Sequence, residues 1–280
     1  MIWNITSLLL LLASCAQAPQ SAAPAQETKV TIIKQWHASA TTSTLDIAAA
    51  KLMPQYANQK EIYDHLAKPL NEGKRLLLLA EGCQAEKKID LSFNKKFNGW
   101  SMPLLSKARD SQNYGDILTA LPMKLKAKYP TLVTVICADD QKLMKMNQTA
   151  FSDARGFIGF FLRLKEHQND PKKYAVYHRA LEEAQRKKID DPMEFSREQA
   201  IESINHFKTL IEMRNQLFLA AIVKYLPHRP TVIIGGLHAQ GLMNMLSDNQ
   251  VPAEILTPVA YPISSEALPQ QLLEELQASP

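Results

Sequence analysis

Four short apolar runs constrain the architecture more than any other feature of the chain: Lys29–Trp36 (KVTIIKQW), Arg75–Glu81 (RLLLLAE), Thr131–Cys137 (TLVTVIC) and Thr231–Gly236 (TVIIGG). Each is bounded by turn-forming or charged residues, and such runs mark strands buried on both faces, as in a parallel sheet. Helical patterns lie between them. Gln59–Glu72 places Ile62, Leu66 and Leu70 on one face and stops at Gly73. Tyr114–Tyr129 reads as a helix interrupted by Pro122. From Asp140 to Tyr225 the chain is charged and mostly helical, including Lys172–Lys188 and Ser196–Tyr225. Ser196 followed by Gln199 is a capping box that predicts where the last of these helices starts. His238–Leu246 predicts a short helix, Ala253–Thr257 an edge strand and Pro269–Gln277 a final amphipathic helix. The expected fold is α/β: a mostly parallel central sheet with flanking helices and a helical insertion, about residues 140–225, between the third and fourth strands.

Composition narrows the functional classes. With 46% hydrophobic residues in 280, the chain is too apolar to be disordered. A net charge of +4, evenly mixed, gives no footprint for nucleic acid. The start of the chain reads as an address. Its first charged side chain is Glu27, and the apolar stretch from Ile2 to Ala13 is too short to span a bilayer but suits a signal-peptide core. Leu12-Ala13-Ser14-Cys15 resembles the lipobox of bacterial lipoproteins, although no Lys or Arg precedes the apolar run. That resemblance implies removal of residues 1–14, lipidation of Cys15 (palmitate among the acyl chains) and anchoring in the cell envelope. With Ala16 after the cysteine, the outer membrane, periplasmic side, is implied for a Gram-negative host. Residues 15–28 then form the lipidated cysteine and a flexible tether, and residues 29–280 a single α/β domain. In an oxidising compartment Cys83 and Cys137 either pair as a disulfide or sit as two buried thiols in neighbouring strands.

The strand ends carry the polar residues. The first run ends in Trp36-His37, the second in Glu81-Gly82-Cys83, the third runs into Asp139-Asp140, and the fourth ends in Gly235-Gly236-Leu237-His238. Ligands of open α/β sheets bind outside the carboxyl ends of the strands. There, two imidazoles and a carboxylate compose a mixed nitrogen and oxygen metal site. Asp139 and Asp140 read as caps of the following helix. Gly235, Gly236 and Gly241 cluster around His238, for a tight turn, a close approach or helix packing. On the long helix, Arg214 and Asn215 share the stripe of Ile201, Ile204, Phe207, Ile211, Phe218, Ile222 and Tyr225 and point toward the core. A buried guanidinium needs a carboxylate partner, and Glu81 is the natural candidate.

These polar ends resemble the TraB/GumN/Tiki superfamily, whose broader relatives include erythromycin-esterase-like and ChaN-like proteins. Gly235-Gly236-Leu237-His238-Ala239-Gln240-Gly241 matches its late glycine–histidine segment, Arg214-Asn215 its helix pair, and Leu79-Ala80-Glu81-Gly82 its second strand end. Lys34-Gln35-Trp36-His37 departs from the opening motif, with lysine in place of glycine, and Met213 stands where relatives often carry glutamate. The resemblance implies a divalent-metal-dependent hydrolase of the protease type acting on a peptide or protein, with manganese or cobalt favoured and zinc possible. His37, Glu81 and His238 would be metal ligands, and Glu81, Arg214 and Asn215 catalytic. Two other readings stay open: a non-catalytic peptide binder, and a ChaN-like haem-binding lipoprotein with Tyr177 and His178 as available ligands.

Overall fold

The computed structural model describes residues 29–37, 44–84, 87–89, 102–116 and 120–278. The expected signal segment, Cys15 and the tether lie outside the described residues.

Six strands form one sheet in the order β3-β4-β2-β5-β1-β6. They are β1 (Val30–Gln35), β2 (Leu76–Gln84), β3 (Lys87–Ile89), β4 (Val133–Asp139), β5 (Thr231–Gly235) and β6 (Ala253–Leu256). All pairings are parallel except β3 with β4. The four apolar runs are the four interior strands. The expected edge strand is β6, and the short antiparallel β3 adds a second edge that no apolar run announces.

Burial of both alternating faces explains why these strands read as mostly apolar runs. Ile32, Leu79, Ile136, Val232 and Ile234 face one helical layer, with Phe218, Ile222, Leu242 and Leu246. Ile33, Leu78, Val135, Cys137 and Ile233 face the other, with Ile62, Leu66, Leu70, Leu121 and Leu125. The second layer comprises α2 (Pro54–Asn71) and α4 (Leu121–Lys128); α1 (Ile47–Lys51) and α3 (Met102–Asp110) flank them. The first comprises the far end of α7 (Pro192–Tyr225) and α8 (Gly236–Asp248), and α9 (Leu268–Ala278) closes the chain.

The helical insertion joins β4 to β5 through α5 (Gln141–Glu166), α6 (Pro171–Gln185) and α7. At 1.5 Å per residue α7 is ~50 Å long, long enough to do two jobs. Its first half packs on α5 and α9 through Ala200, Ile204 and Phe207, and on α6 through Met193 and Phe195, and its second half covers the sheet.

Three local expectations are corrected. The long helix starts at Pro192, not at Ser196: Asp191 caps it by accepting from the Glu194 amide at 2.9 Å, and Ser196 lies inside, its hydroxyl donating back to the Pro192 carbonyl. An Asp-Pro pair combines a capping carboxylate with a preset N1 residue, which outcompetes a serine box one turn later. Pro122 does not interrupt a helix; it occupies the first turn of α4, where its missing N–H is harmless. Residues 114–116 form a turn and an isolated bridge instead of helix. The aspartate pair also divides: Asp140 caps α5, accepting from Leu143 at 2.8 Å, whereas Asp139 ends β4 fully buried and serves the site.

Candidate functional site

Four parallel strands deliver their carboxyl ends to one edge of the sheet, and Glu81 on β2 is the hub of what gathers there. Its side chain is on the α7 and α8 side, in phase with Leu79. One oxygen, Oε1, accepts from Arg214 Nη2 at 2.6 Å and lies 3.7 Å from His238 Nε2. The other, Oε2, accepts the Gly235 amide at 2.7 Å and lies 3.3 Å from His37 Nε2. The site thus brings together Glu81, Arg214, Asn215, His37, His238 and Gly235.

Arg214 projects from α7 into this buried edge. Nε and Nη2 grip Asp139 at 3.0 and 2.7 Å, Nη2 also reaches Glu81, and Nη1 donates to Asn147 at 3.1 Å. Four of its N–H bonds are therefore spoken for. Glu81 is the partner expected for Arg214, and Asp139 is the second, bidentate one. Asn147, from α5, also donates to the Phe207 carbonyl. Sequence reasoning missed Asn147 altogether, because a polar residue at mid-helix carries no mark of which way it faces.

Asn215 sets the state of His238. Its Nδ2 donates to the His238 carbonyl at 3.4 Å, which turns Oδ1 toward the imidazole, 2.8 Å from Nδ1. Nδ1 therefore carries the proton and Nε2 presents a lone pair. Burial pushes the His238 pKa down to about 4, so the ring is neutral at neutral pH. Burial alone would push Glu81 up, but His37 and Arg214 outweigh it and hold the carboxyl well below the usual range. The Glu81 charge raises His37, against burial and Arg214. His37 is the open member of the group, its side chain 56% exposed.

The three glycines make room. A Cβ on Gly235 would stand 2.6 Å from His37 Nε2 and 3.3 Å from Glu81 Oε2. A Cβ on Gly236 would run into the Tyr261 hydroxyl, and one on Gly241 would lie 2.8 Å from Asn215 Nδ2. None of the three has positive φ; among the described residues the one glycine that does is Gly73. Close approach of side chains, and not backbone freedom, accounts for the cluster around His238.

Lys34, which departs from the glycine of the resembling motif, is buried on β1 and donates to Glu266 at 2.7 Å, its Nζ 5.7 Å from the Tyr261 ring centroid. Met213 is exposed beside the buried Arg214 and Asn215. Cys137 is disulfide-bonded; the side chain of Cys83, its expected partner, lies outside the described residues. Tyr177 and His178 lie on α6, away from this edge of the sheet. Tyr177 stacks on His167, and His178 Nε2 is 2.7 Å from the Ile189 carbonyl.

Among the described residues no group of three or more His, Cys, Asp and Glu side chains is arranged as a metal cluster. The donor chemistry at Glu81 nonetheless suits a cation. Two donors at about 2.1 Å from one ion lie roughly 3.0–3.4 Å apart; His37 Nε2, 3.3 Å from Oε2, is within that range, and His238 Nε2, 3.7 Å from Oε1, is slightly beyond it. Two carboxylates against one guanidinium also leave a negative charge that a protonated His37 or a cation would balance. No protein-family profile, curated protein or solved structure matches the chain. Among the described residues no helix is long and apolar enough to cross a membrane.

Proposed function

We propose that this chain is a divalent-metal-dependent hydrolase of the TraB/GumN/Tiki type, acting on a peptide or protein in the cell envelope, where Cys15 carries its lipid anchor. One observation carries the reading. The neutral Nε2 lone pair of His238 lies 3.7 Å from an anionic carboxylate oxygen, so two acceptors face each other across a gap that a cation would fill.

His37, Glu81 and His238 would hold the metal. A bound divalent ion lowers the pKa of water and polarises a carbonyl. The remaining work falls to the chain itself. Arg214 and the Gly235 amide keep Glu81 anionic and fixed in place, so that it does not reorganise during a reaction. Arg214 is buried and committed to Asp139, Glu81 and Asn147, which makes it an orienting group rather than one that meets substrate. Asn215 holds His238 in one tautomer, the usual role of a carbonyl behind a ligand imidazole. His37, half-exposed and tied to Glu81, is the member that a bound substrate reaches.

The test is hydrolysis of a mixed peptide substrate by the purified protein before and after chelation, with Mn, Co or Zn added back. Activity that depends on metal and disappears in Glu81→Gln supports the reading. Hydrolysis indifferent to both overturns it.

A further inference from the structure

We infer that Asn58 and Gln59, two adjacent residues of α2, are positioning residues that set His37 by clamping the backbone of Trp36. The last register pair of β1 is Gln35 with Gly235, so Trp36 stands one residue beyond the ladder. Its peptide is instead paired by side chains. The Trp36 amide donates to Asn58 Oδ1 at 2.6 Å, and Gln59 Nε2 donates to the Trp36 carbonyl at 2.6 Å. Helix α2 thereby extends the ordered strand by one residue, and the next side chain is the imidazole 3.3 Å from Glu81.

Two further observations point the same way. His37 is more than half exposed, and among the described residues Glu81 is its one side-chain polar partner. Its placement therefore depends on the backbone that carries it. Asn58 is fully buried, yet its Nδ2 has no hydrogen-bond partner among the described residues. An orphaned buried donor costs about 1–3 kcal/mol, which a leucine would avoid. Such unfavourable groups collect where function requires them. Further along, α2 packs on the sheet through the apolar Ile62, Leu66 and Leu70, so stability alone does not call for an asparagine and a glutamine at its top.

The inference rests on reading His37 as part of the site, but its test does not require activity. His37 and His238 are carbethoxylated with diethyl pyrocarbonate near neutral pH and quantified by peptide mass spectrometry in the wild type, Asn58→Leu, Gln59→Met and the double variant. Released from Glu81, His37 reacts several-fold faster in each variant and fastest in the double one. His238, 3% exposed, stays unmodified as the internal check of folding. If the double variant does not fold, Gln59→Met, which keeps side-chain volume and the Asn58 bond, still gives the reading. An unchanged His37 rate in a folded Gln59→Met or Asn58→Leu overturns the proposal. Where the wild type hydrolyses nothing, the hydrolase reading falls and the positioning result stands or falls separately.

Discussion

Replacing Arg214 by methionine removes both bonds to Asp139 and those to Glu81 and Asn147. The two carboxylates left behind have side chains 0% and 8% exposed, so water replaces the guanidinium poorly. Breaking a buried pair by removing one partner costs about 3–5 kcal/mol. For a domain of this size that corresponds to a melting temperature lower by roughly 6–20 °C. The deficit also depends on pH with a definite sign. In the wild type the Glu81 carboxyl is held below its usual range. Its contribution is present above the unfolded carboxyl value, about 4.3, and is lost as pH falls through the lower folded value. Without Arg214, burial of Glu81 is less opposed and its folded pKa rises. The difference between wild type and variant is therefore greatest near neutral pH and shrinks as the stranded Glu81 carboxylate takes up a proton. Urea unfolding of both proteins at pH 4, 5.5 and 7 measures it. In the double variant Arg214→Met with Asp139→Leu, part of the loss is recovered, because one stranded charge is gone. A loss below about 1 kcal/mol at pH 7, or one that does not change with pH, would refute the account of Arg214 as the counter-charge of the site.

Other outcomes follow from the same geometry. Metal-free protein loses roughly 3 kcal/mol of stability between pH 6.5 and about 4 through His238, since the unfolded ring protonates first while the folded one resists until about 4. Denaturant titrations of His238→Gln against wild type show that slope only in the wild type. Gly235→Ala presses on the movable His37, so peptide hydrolysis falls while the melting temperature shifts by a few degrees. Gly236→Ala and Gly241→Ala meet the buried Tyr261 and Asn215 and destabilise by about 1–3 kcal/mol in the same assay. Mass spectrometry of the mature N-terminus from a bacterial expression host shows an acylated Cys15; a plain cleaved end contradicts the anchor.

The interior strands were legible because a strand covered on both faces is driven to be apolar along its length, as Leu76–Ala80 and Val135–Ala138 are. Glu81 and His238 stood out for the complementary reason: they break that apolar rule where strands end. Arg214 and Asn215 were legible through helical phase, which turns them inward with Phe218 and Ile222. Asp139 was harder, since adjacent aspartates ahead of a helix look alike in sequence; only the end of β4 assigns one to the Arg214 guanidinium and the other to the α5 cap. Lys34 was read as a departure, and the reason for it lies 232 residues away in Glu266, beyond any local pattern. The glycines around His238 were read as permissive for backbone or ligand. What occupies their space is the rest of the site, a fact that depends on where Tyr261 and Asn215 arrive from.

The central claim is that His37, Glu81 and His238 together hold a divalent cation. Its most direct test is elemental analysis of protein purified without chelators, followed by titration of the metal-free protein with Mn, Co and Zn. The account predicts one tightly held divalent ion per chain, lost in both His37→Ala and His238→Ala while each variant remains folded. A wild type that carries no metal and takes up none on titration would contradict it.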